Sequence, residues 1–96
     1  MEFNIDKWIE EYKNTKDAIL LDVRTDAEYS DGHIPNSIHH PLEQINTIAL
    51  DKNLPIFVYC RSGRRSGIAV EQMIKMGYQN VRNIGGILDY TGPIEK

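Results

Sequence analysis

The sequence predicts an α/β domain with a mostly parallel central sheet and helices on both faces. Short apolar runs typical of buried strands alternate along the chain with amphipathic stretches typical of helices. The most continuous run, residues 56–59, is rich in β-branched and aromatic side chains, as in a central strand. The chain has 96 residues, which suits one hydrophobic core. We therefore expect a single domain over residues 1–96, with its main motifs within residues 18–93.

The first helix and the first strand follow from local patterns. Asn4 is a suitable N-cap, and an apolar stripe at helical spacing follows it: Ile5, Trp8, Ile9 and Tyr12. We interpret Trp8 as a core residue of this stripe. The apolar run at residues 18–21 predicts a buried strand that leads into Asp22 and Val23.

A short helix and a turn are predicted next. Thr25 and Glu28 match the two ends of a capping box, and Gly32 ends the helix that this box opens. Residues 34–37 have turn composition, and residues 37–40 are compatible with a brief strand.

The second half of the chain repeats the alternation. Pro41 suits the first position of a helix, whose apolar stripe is Leu42, Ile45, Ile48 and Ala49. After a loop at residues 51–55 and the strand at 56–59, a helix is predicted over about residues 65–76, with Gly77 as its C′ residue. This helix is expected to bury Ala69, Met73 and Met76. A last strand is predicted at residues 81–84, and Gly85 and Gly86 are expected to turn into a final short helical piece.

Composition and charge restrict the function. Hydrophobic residues make up 41% and charged residues 26%, which are ordinary values for a globular protein. The net charge of −3 argues against broad nucleic-acid binding. A single cysteine excludes an internal disulfide and a cysteine-rich zinc site, and it fits a reducing compartment. The sequence shows neither a signal peptide nor an apolar run of about 18 residues, so we expect a cytoplasmic protein. For so compact a chain we expect a monomer.

The single cysteine, Cys60, is the most informative residue. It lies between the predicted strand at 56–59 and the predicted helix, and it opens a segment that also contains Arg61, Ser62, Gly63, Arg64, Arg65 and Ser66. Ligands of parallel sheets bind beyond the carboxyl ends of the strands. A helix N-terminus and guanidinium groups lower the pKa of a cysteine below its usual value of about 8.5. These features indicate a reactive thiolate in an anion site.

The residue types in this segment suggest separate contributions. Gly63 can adopt the positive φ that a tight loop requires, and the hydroxyls of Ser62 and Ser66 can donate to the sulfur or support the loop. Arg65 can fix the loop or bind an anionic group. Arg61 and Arg64 are expected at the rim, either as binding groups or as solvated surface charges.

The segment from Cys60 to Ser66 resembles the active-site loop of rhodanese-like sulfurtransferases. Further motifs of that family occur in the expected order, at residues 21–24, 28–29, 32–37 and 85–90. The resemblance implies a single rhodanese-like domain in which the Cys60 thiolate takes a sulfane sulfur, holds it as a persulfide and passes it on. Its implied partners are a small anionic donor such as thiosulfate and a cyanide, thiol or protein acceptor, without a cofactor.

Three alternatives remain open. Cysteine phosphatases and arsenate reductases place arginine six positions after the cysteine, whereas Arg65 is five positions after Cys60 and Ser66 occupies the sixth. A rhodanese-like binding module without activity has typically lost its cysteine, which is present here. The third alternative is an intracellular relay that receives sulfur from glutathione persulfide or a protein; the three arginines favour thiosulfate over it.

Other polar residues have structural explanations. We interpret Asp22 and Arg24 as a scaffold ion pair, Glu28 as part of the capping box, and His33 as a partner of backbone groups in a turn. His39 and His40 are adjacent, so on a strand they point to opposite faces and cannot form a close metal pair; no metal site is predicted.

One position departs from the family pattern. The motif that begins with Gly85 and Gly86 commonly ends in tryptophan in the family, and here it ends in Tyr90. The tyrosine preserves a flat aromatic body for packing, but its contact with the mouth of the active site is left open.

Overall fold

The computed structural model describes residues 4–96, and it forms a four-stranded parallel sheet. The strands are β1 (Ile19–Asp22), β2 (Ile38–His39), β3 (Ile56–Cys60) and β4 (Val81–Gly86), in the order β2-β1-β3-β4. The helices are α1 (Ile5–Lys13), α2 (Asp26–Asp31) and α3 (Arg64–Lys75), with 3-10 helices at Leu42–Thr47 and Ile87–Asp89. The predicted α/β class is therefore confirmed. Residues 1–3, which contributed to the signal-peptide prediction, lie outside the described residues.

The core has one layer on each face of the sheet. Val58 and Cys60 of β3 contribute to the layer that also includes Ala69 and Met73 of α3. Phe57 and Tyr59, the alternate residues of β3, belong to the layer that includes residues of α1. Because both faces are covered, every residue of β3 is buried, which explains why the strand is a continuous apolar run.

The predicted helix caps are present. Asn4 Oδ1 accepts a hydrogen bond from the Lys7 backbone N–H at 3.3 Å. At the start of α2, Thr25 Oγ1 accepts from the Glu28 N–H at 3.3 Å, and the Glu28 carboxylate accepts from the Thr25 N–H at 3.0 Å. Gly77 follows the C-cap of α3 with φ +101°, as expected for a C′ glycine. These local signals therefore define the helix ends.

Two predicted boundaries are wrong. Gly85 and Gly86 do not form a turn: β4 continues through both, and its pairing with β3 shifts register so that Tyr59 lies opposite Gly85. Pro41 is not the first helical residue, because its ψ of 146° is extended and the segment after it is a 3-10 helix.

The shorter 3-10 helix also changes the predicted apolar stripes. Ala49 is exposed and lies beyond it, whereas Ile45 and Ile48 are buried.

Two residues predicted as core residues of helices are only half-buried. Met76 packs in this way against the α3 side of the core. Trp8 is half-buried and contacts Phe57 edge-to-face, with ring centroids 6.2 Å apart. Among residues 4–96, no helix has the length and apolar character needed to span a bilayer.

Candidate active site

Cys60 is the last residue of β3, so its thiol lies at the carboxyl edge of the sheet, as predicted. The side chain is buried. Its sulfur accepts a hydrogen bond from the Gly63 backbone N–H at 3.0 Å and lies 3.4 Å from the Ser66 hydroxyl oxygen. Gly63 has φ +100°, the left-handed conformation that lets the loop turn back over the sulfur. The loop therefore presents main-chain and hydroxyl donors to Cys60.

Two opposing effects act on the pKa of the Cys60 thiol. Burial raises it, because a thiolate loses hydration. The hydrogen bond from the Ser66 hydroxyl lowers it, and so do those from the backbone N–H groups of Ser66, Gly63 and Ser62. The hydrogen bonds prevail, so the pKa of Cys60 lies below its ordinary value. The low pKa predicted from the sequence is thus explained mainly by dipoles of the loop.

The three arginines of the loop are not equivalent. Arg61 and Arg64 are exposed, as expected for residues at the rim. Arg65 instead forms a bidentate ion pair with the Glu28 carboxylate, at 2.6 and 2.8 Å. This pair lowers the pKa of Glu28 to about 2 and raises that of Arg65. Of the two possibilities left open for Arg65, the structure therefore shows the one that fixes the loop.

The loop rests on the second glycine of the Gly85–Gly86 pair. A Cβ atom at Gly86 would lie 2.2 Å from the carbonyl oxygen of Arg61 and 2.5 Å from the Cα of Ser62. The same Arg61 carbonyl accepts a hydrogen bond from the Leu88 N–H at 3.2 Å. Gly86 is therefore required for close contact between two backbones rather than for a turn.

Asn83 of β4 joins three parts of the site, a role that the sequence analysis did not predict. Its Nδ2 donates to the Gly63 carbonyl at 3.0 Å. Its Oδ1 accepts from the Ser66 hydroxyl at 2.7 Å and from the Gly85 N–H at 3.0 Å. The one available signal was the alternation of side chains along β4, which tells which residues point inward. The irregularity after Asn83 interrupts this alternation, so the signal was not usable.

The ion pair predicted for Asp22 and Arg24 is present and buried. Arg24 Nη2 donates to Asp22 Oδ2 at 2.7 Å and to the Gly32 carbonyl at 2.7 Å, and the Arg24 backbone N–H donates to Asp22 Oδ1 at 2.8 Å. The pair thus ties the end of β1 to the end of α2.

The histidines bind backbone carbonyls. His33 Nδ1 lies 2.9 Å from the Tyr29 carbonyl oxygen, which agrees with its predicted backbone role. His39 and His40 point to different partners, the carbonyl of Arg24 at 2.8 Å and that of Gln44 at 2.7 Å. Within residues 4–96 the structure groups no three His, Cys, Asp or Glu side chains in a way that could hold a metal.

A cleft of about 340 Å³ lies beside the loop. Tyr90 lines it together with Arg61, and the ring also packs against the α1 side of the core. The remaining lining residues are Arg24, Glu28, Asp31, Gly32, Ile87, Leu88 and Ile94. Tyr90 therefore packs against the core and also borders the surface next to the loop.

Comparison with known proteins identifies the family. The model of the rhodanese-like domain matches residues 6–92. The chain belongs to the rhodanese-like domain family. Within it, the chain is 42% identical to the thiosulfate sulfurtransferase PspE of Escherichia coli, over 76% of this chain and 74% of that protein. It is 35% identical to the Bacillus subtilis protein YrkF over 98% of its own length, but it spans only about half (52%) of that relative.

Solved rhodanese structures have the same fold. A rhodanese from E. coli, solved with anions, has a TM-score of 0.74 and 37% identity, covering 82% of this chain and 98% of that one. A rhodanese-like domain protein from Staphylococcus aureus has a TM-score of 0.82 and 29% identity, covering 95% and 92%. The predicted family and the predicted rhodanese-like fold are thus confirmed.

Proposed function

We propose that this protein is a sulfurtransferase that carries sulfur as a persulfide on Cys60. The Cys60 thiolate attacks the outer sulfur of thiosulfate, a new S–S bond forms, and the old S–S bond breaks with its electron pair to release sulfite. An acceptor nucleophile then takes the outer sulfur and returns the thiolate. Cyanide leaves as thiocyanate, and a thiolate leaves as a persulfide. A covalent intermediate divides the transfer into two half-reactions.

The observation that carries this proposal is the set of donors aimed at the Cys60 sulfur. The Gly63 N–H lies 3.0 Å from it and the Ser66 hydroxyl 3.4 Å. Donors fixed in advance stabilise developing negative charge without reorganisation. They support both a thiolate nucleophile and its departure as a leaving group when the persulfide is discharged.

Thiosulfate as the donor is supported by charge and by a relative. Arg61 and Arg64 are exposed beside the loop and can attract a small divalent anion. A relative of 42% identity is named a thiosulfate sulfurtransferase. Because Arg65 is engaged by Glu28, the electrostatic argument depends on two arginines rather than three.

A persulfide relay is the second candidate. Relatives named adenylyltransferase and sulfurtransferase include the Uba4 proteins of Ogataea parapolymorpha and Candida albicans, at 35% and 37% identity, of which the chain spans 23% and 20%. Such names fit a rhodanese-like domain that exchanges sulfur within a larger system. In this case the donor is glutathione persulfide or a protein, and the reaction takes place in the cytoplasm.

Initial-rate kinetics with thiosulfate and cyanide test the proposal. We expect thiocyanate formation with parallel double-reciprocal lines, the pattern of two half-reactions that share a covalent intermediate, and no turnover by Cys60→Ser. Activity that persists in Cys60→Ser would refute the proposal. Faster transfer from glutathione persulfide than from thiosulfate would favour the relay, and Cys60-dependent hydrolysis of an aryl phosphate would instead indicate a phosphatase.

A further inference from the structure

The Ser66 hydroxyl has two acceptors and one proton. Its oxygen lies 2.7 Å from Asn83 Oδ1 and 3.4 Å from Cys60 Sγ. Ser66 is fully buried, so its hydroxyl has no contact with bulk water. A hydroxyl donates only one hydrogen bond at a time. The proton therefore points either to the amide oxygen or to the sulfur.

The orientation of the Asn83 amide is fixed by its neighbours. The Gly85 N–H, 3.0 Å from Oδ1, requires an acceptor at that position, and the Gly63 carbonyl, 3.0 Å from Nδ2, requires a donor. A flipped amide would place two donors together and two acceptors together. The oxygen of Asn83 therefore always faces Ser66, and it competes with the sulfur for the hydroxyl proton.

Exchange between the two acceptors costs little. When the hydroxyl turns to the sulfur, Asn83 Oδ1 keeps its hydrogen bond from the Gly85 N–H, so no buried acceptor is left without a partner. The charge on Cys60 decides the direction, because a hydrogen bond to an ionised group is about twice as strong as one between neutral groups.

We propose that Asn83 is a positioning residue that holds the Ser66 proton while the Cys60 sulfur is uncharged and releases it to the sulfur when that atom becomes a thiolate. This proposal depends on two observations: the distances from the Ser66 oxygen to Cys60 Sγ and to Asn83 Oδ1, and the fixed orientation of the Asn83 amide. No family motif noted in the sequence includes Asn83.

This inference rests on the proposed function where turnover is concerned. In the persulfide the negative charge lies on the outer sulfur, and the inner sulfur of Cys60 is bonded to two neighbours. The hydroxyl then returns to Asn83. When an acceptor removes the outer sulfur, the electron pair of the broken S–S bond remains on Cys60, and the hydroxyl turns back to stabilise it. Ser66 therefore stabilises the thiolate that forms when the persulfide is discharged, rather than the persulfide itself.

The other charged groups around Cys60 stay constant during this exchange. Arg65 of α3 is paired with Glu28 of α2, and its positive charge also interacts with the charges of Cys60 and of Asp22 at the end of β1. Arg61 at the rim is exposed. Asn83 contributes no charge from β4, so a change of its acceptor strength can be separated from these fixed charges.

Two variants of Asn83 distinguish the proposed control of the Ser66 proton from a purely structural role of Asn83. Asn83→Asp makes the competing acceptor stronger and adds a like charge, so we expect the thiolate fraction below the pKa to fall about tenfold. Asn83→Ala removes the competitor, so we expect the fraction to rise about threefold. Thiolate absorbance and the rate of alkylation by iodoacetamide, each measured against pH, report these changes. Loosening of the loop alone would lower the fraction in both variants.

The Ser66→Ala background completes the test. There, the increase caused by Asn83→Ala should vanish, and the decrease caused by Asn83→Asp should shrink by roughly half or more, since only the direct charge effect remains. Changes of the same sign in both Asn83 variants, or unchanged effects without Ser66, would overturn the proposal. If one Asn83 variant does not fold by circular dichroism, the other with its Ser66→Ala partner still decides.

The titration does not depend on sulfur transfer. If Cys60 takes no sulfur from thiosulfate but the opposite effects of the Asn83 variants are observed, the proposed function fails and the role of Asn83 stands. If sulfur is transferred and both variants act in the same direction, the role of Asn83 fails and the proposed function stands.

Discussion

The β1–α2 corner and the β3–α3 loop lie at the same edge of the sheet, but they hold charge in different ways. In the first, two acids pair with arginines: Asp22 binds Arg24, and Glu28 binds Arg65. In the second, the sulfur of Cys60 accepts a hydrogen bond from the Gly63 N–H at 3.0 Å and lies 3.4 Å from the Ser66 hydroxyl oxygen. Ion pairs suit charges that never change, whereas neutral dipoles suit a group that can be either an uncharged thiol or a charged thiolate. The arginines near the loop therefore serve partly as scaffold.

The largest effect is expected in the buried ion pair. Asp22→Asn leaves the Arg24 guanidinium buried without its counter-charge, which typically costs about 3–5 kcal/mol. Urea unfolding followed by circular dichroism measures this loss, and Asp89→Asn on the exposed second 3-10 helix is the control. A loss below about 1 kcal/mol would mean that the pair is not a main support of this corner.

The contact beneath the loop can be tested with Gly86→Ala. The added methyl meets backbone atoms of Arg61 and Ser62 that cannot rotate away, so we expect a loss of about 1–3 kcal/mol and slower alkylation of Cys60. Gly67→Ala is the control for the stability measurement only, because its methyl would meet the side-chain amide of Asn83, at 3.3 Å, rather than backbone atoms. Equal effects of both substitutions would contradict the special position of Gly86.

The pair between Glu28 and Arg65 predicts a pH dependence of stability. The pKa of Glu28 falls from 4.5 to about 2 on folding, so its stabilisation is complete above about pH 4.5 and is lost as the pH falls toward 2. The side chains are 27% and 32% exposed, which limits the expected loss in Glu28→Gln to about 1 kcal/mol at neutral pH. The difference in unfolding free energy between wild type and Glu28→Gln should therefore vanish toward pH 2. The control Glu71→Gln, at an exposed position, should show no such pH-dependent difference from wild type. A difference that persisted there would exclude the ion pair as its source.

The smallest change is expected in the pKa of the Cys60 thiol when Arg61 and Arg64 are both replaced, in the double variant Arg61→Ala/Arg64→Ala. Both side chains are exposed and screened by solvent, so the thiolate fraction should change by less than about threefold, while the KM for thiosulfate rises. A return of the thiol to its ordinary pKa would show that the arginines, not the loop donors, stabilise the charge.

The sequence could predict elements whose causes are local. The capping box of Thr25 and Glu28, the C′ glycine Gly77 and the apolar strand β3 each depend on neighbouring residues, and all are present. The turn predicted at Gly85 and Gly86 was wrong because glycine also serves close backbone contact, which depends on the distant Arg61.

The long-range polar contacts could not be predicted in the same way. Glu28 already had a local explanation as a capping residue, which hid its second role as the partner of Arg65, 37 positions away. Asn83 lies 17 positions from Ser66, and nothing in its neighbours indicates that contact. The site thus combines a loop visible in the sequence with supports that only the fold brings together.

The mass of the intact protein tests the central proposal most directly. After incubation with thiosulfate we expect the mass to increase by one sulfur atom, located at Cys60 by peptide mapping and removed by cyanide. Cys60→Ser should show no increase. No uptake by the wild type, or uptake that survives in Cys60→Ser, would contradict the role proposed for Cys60.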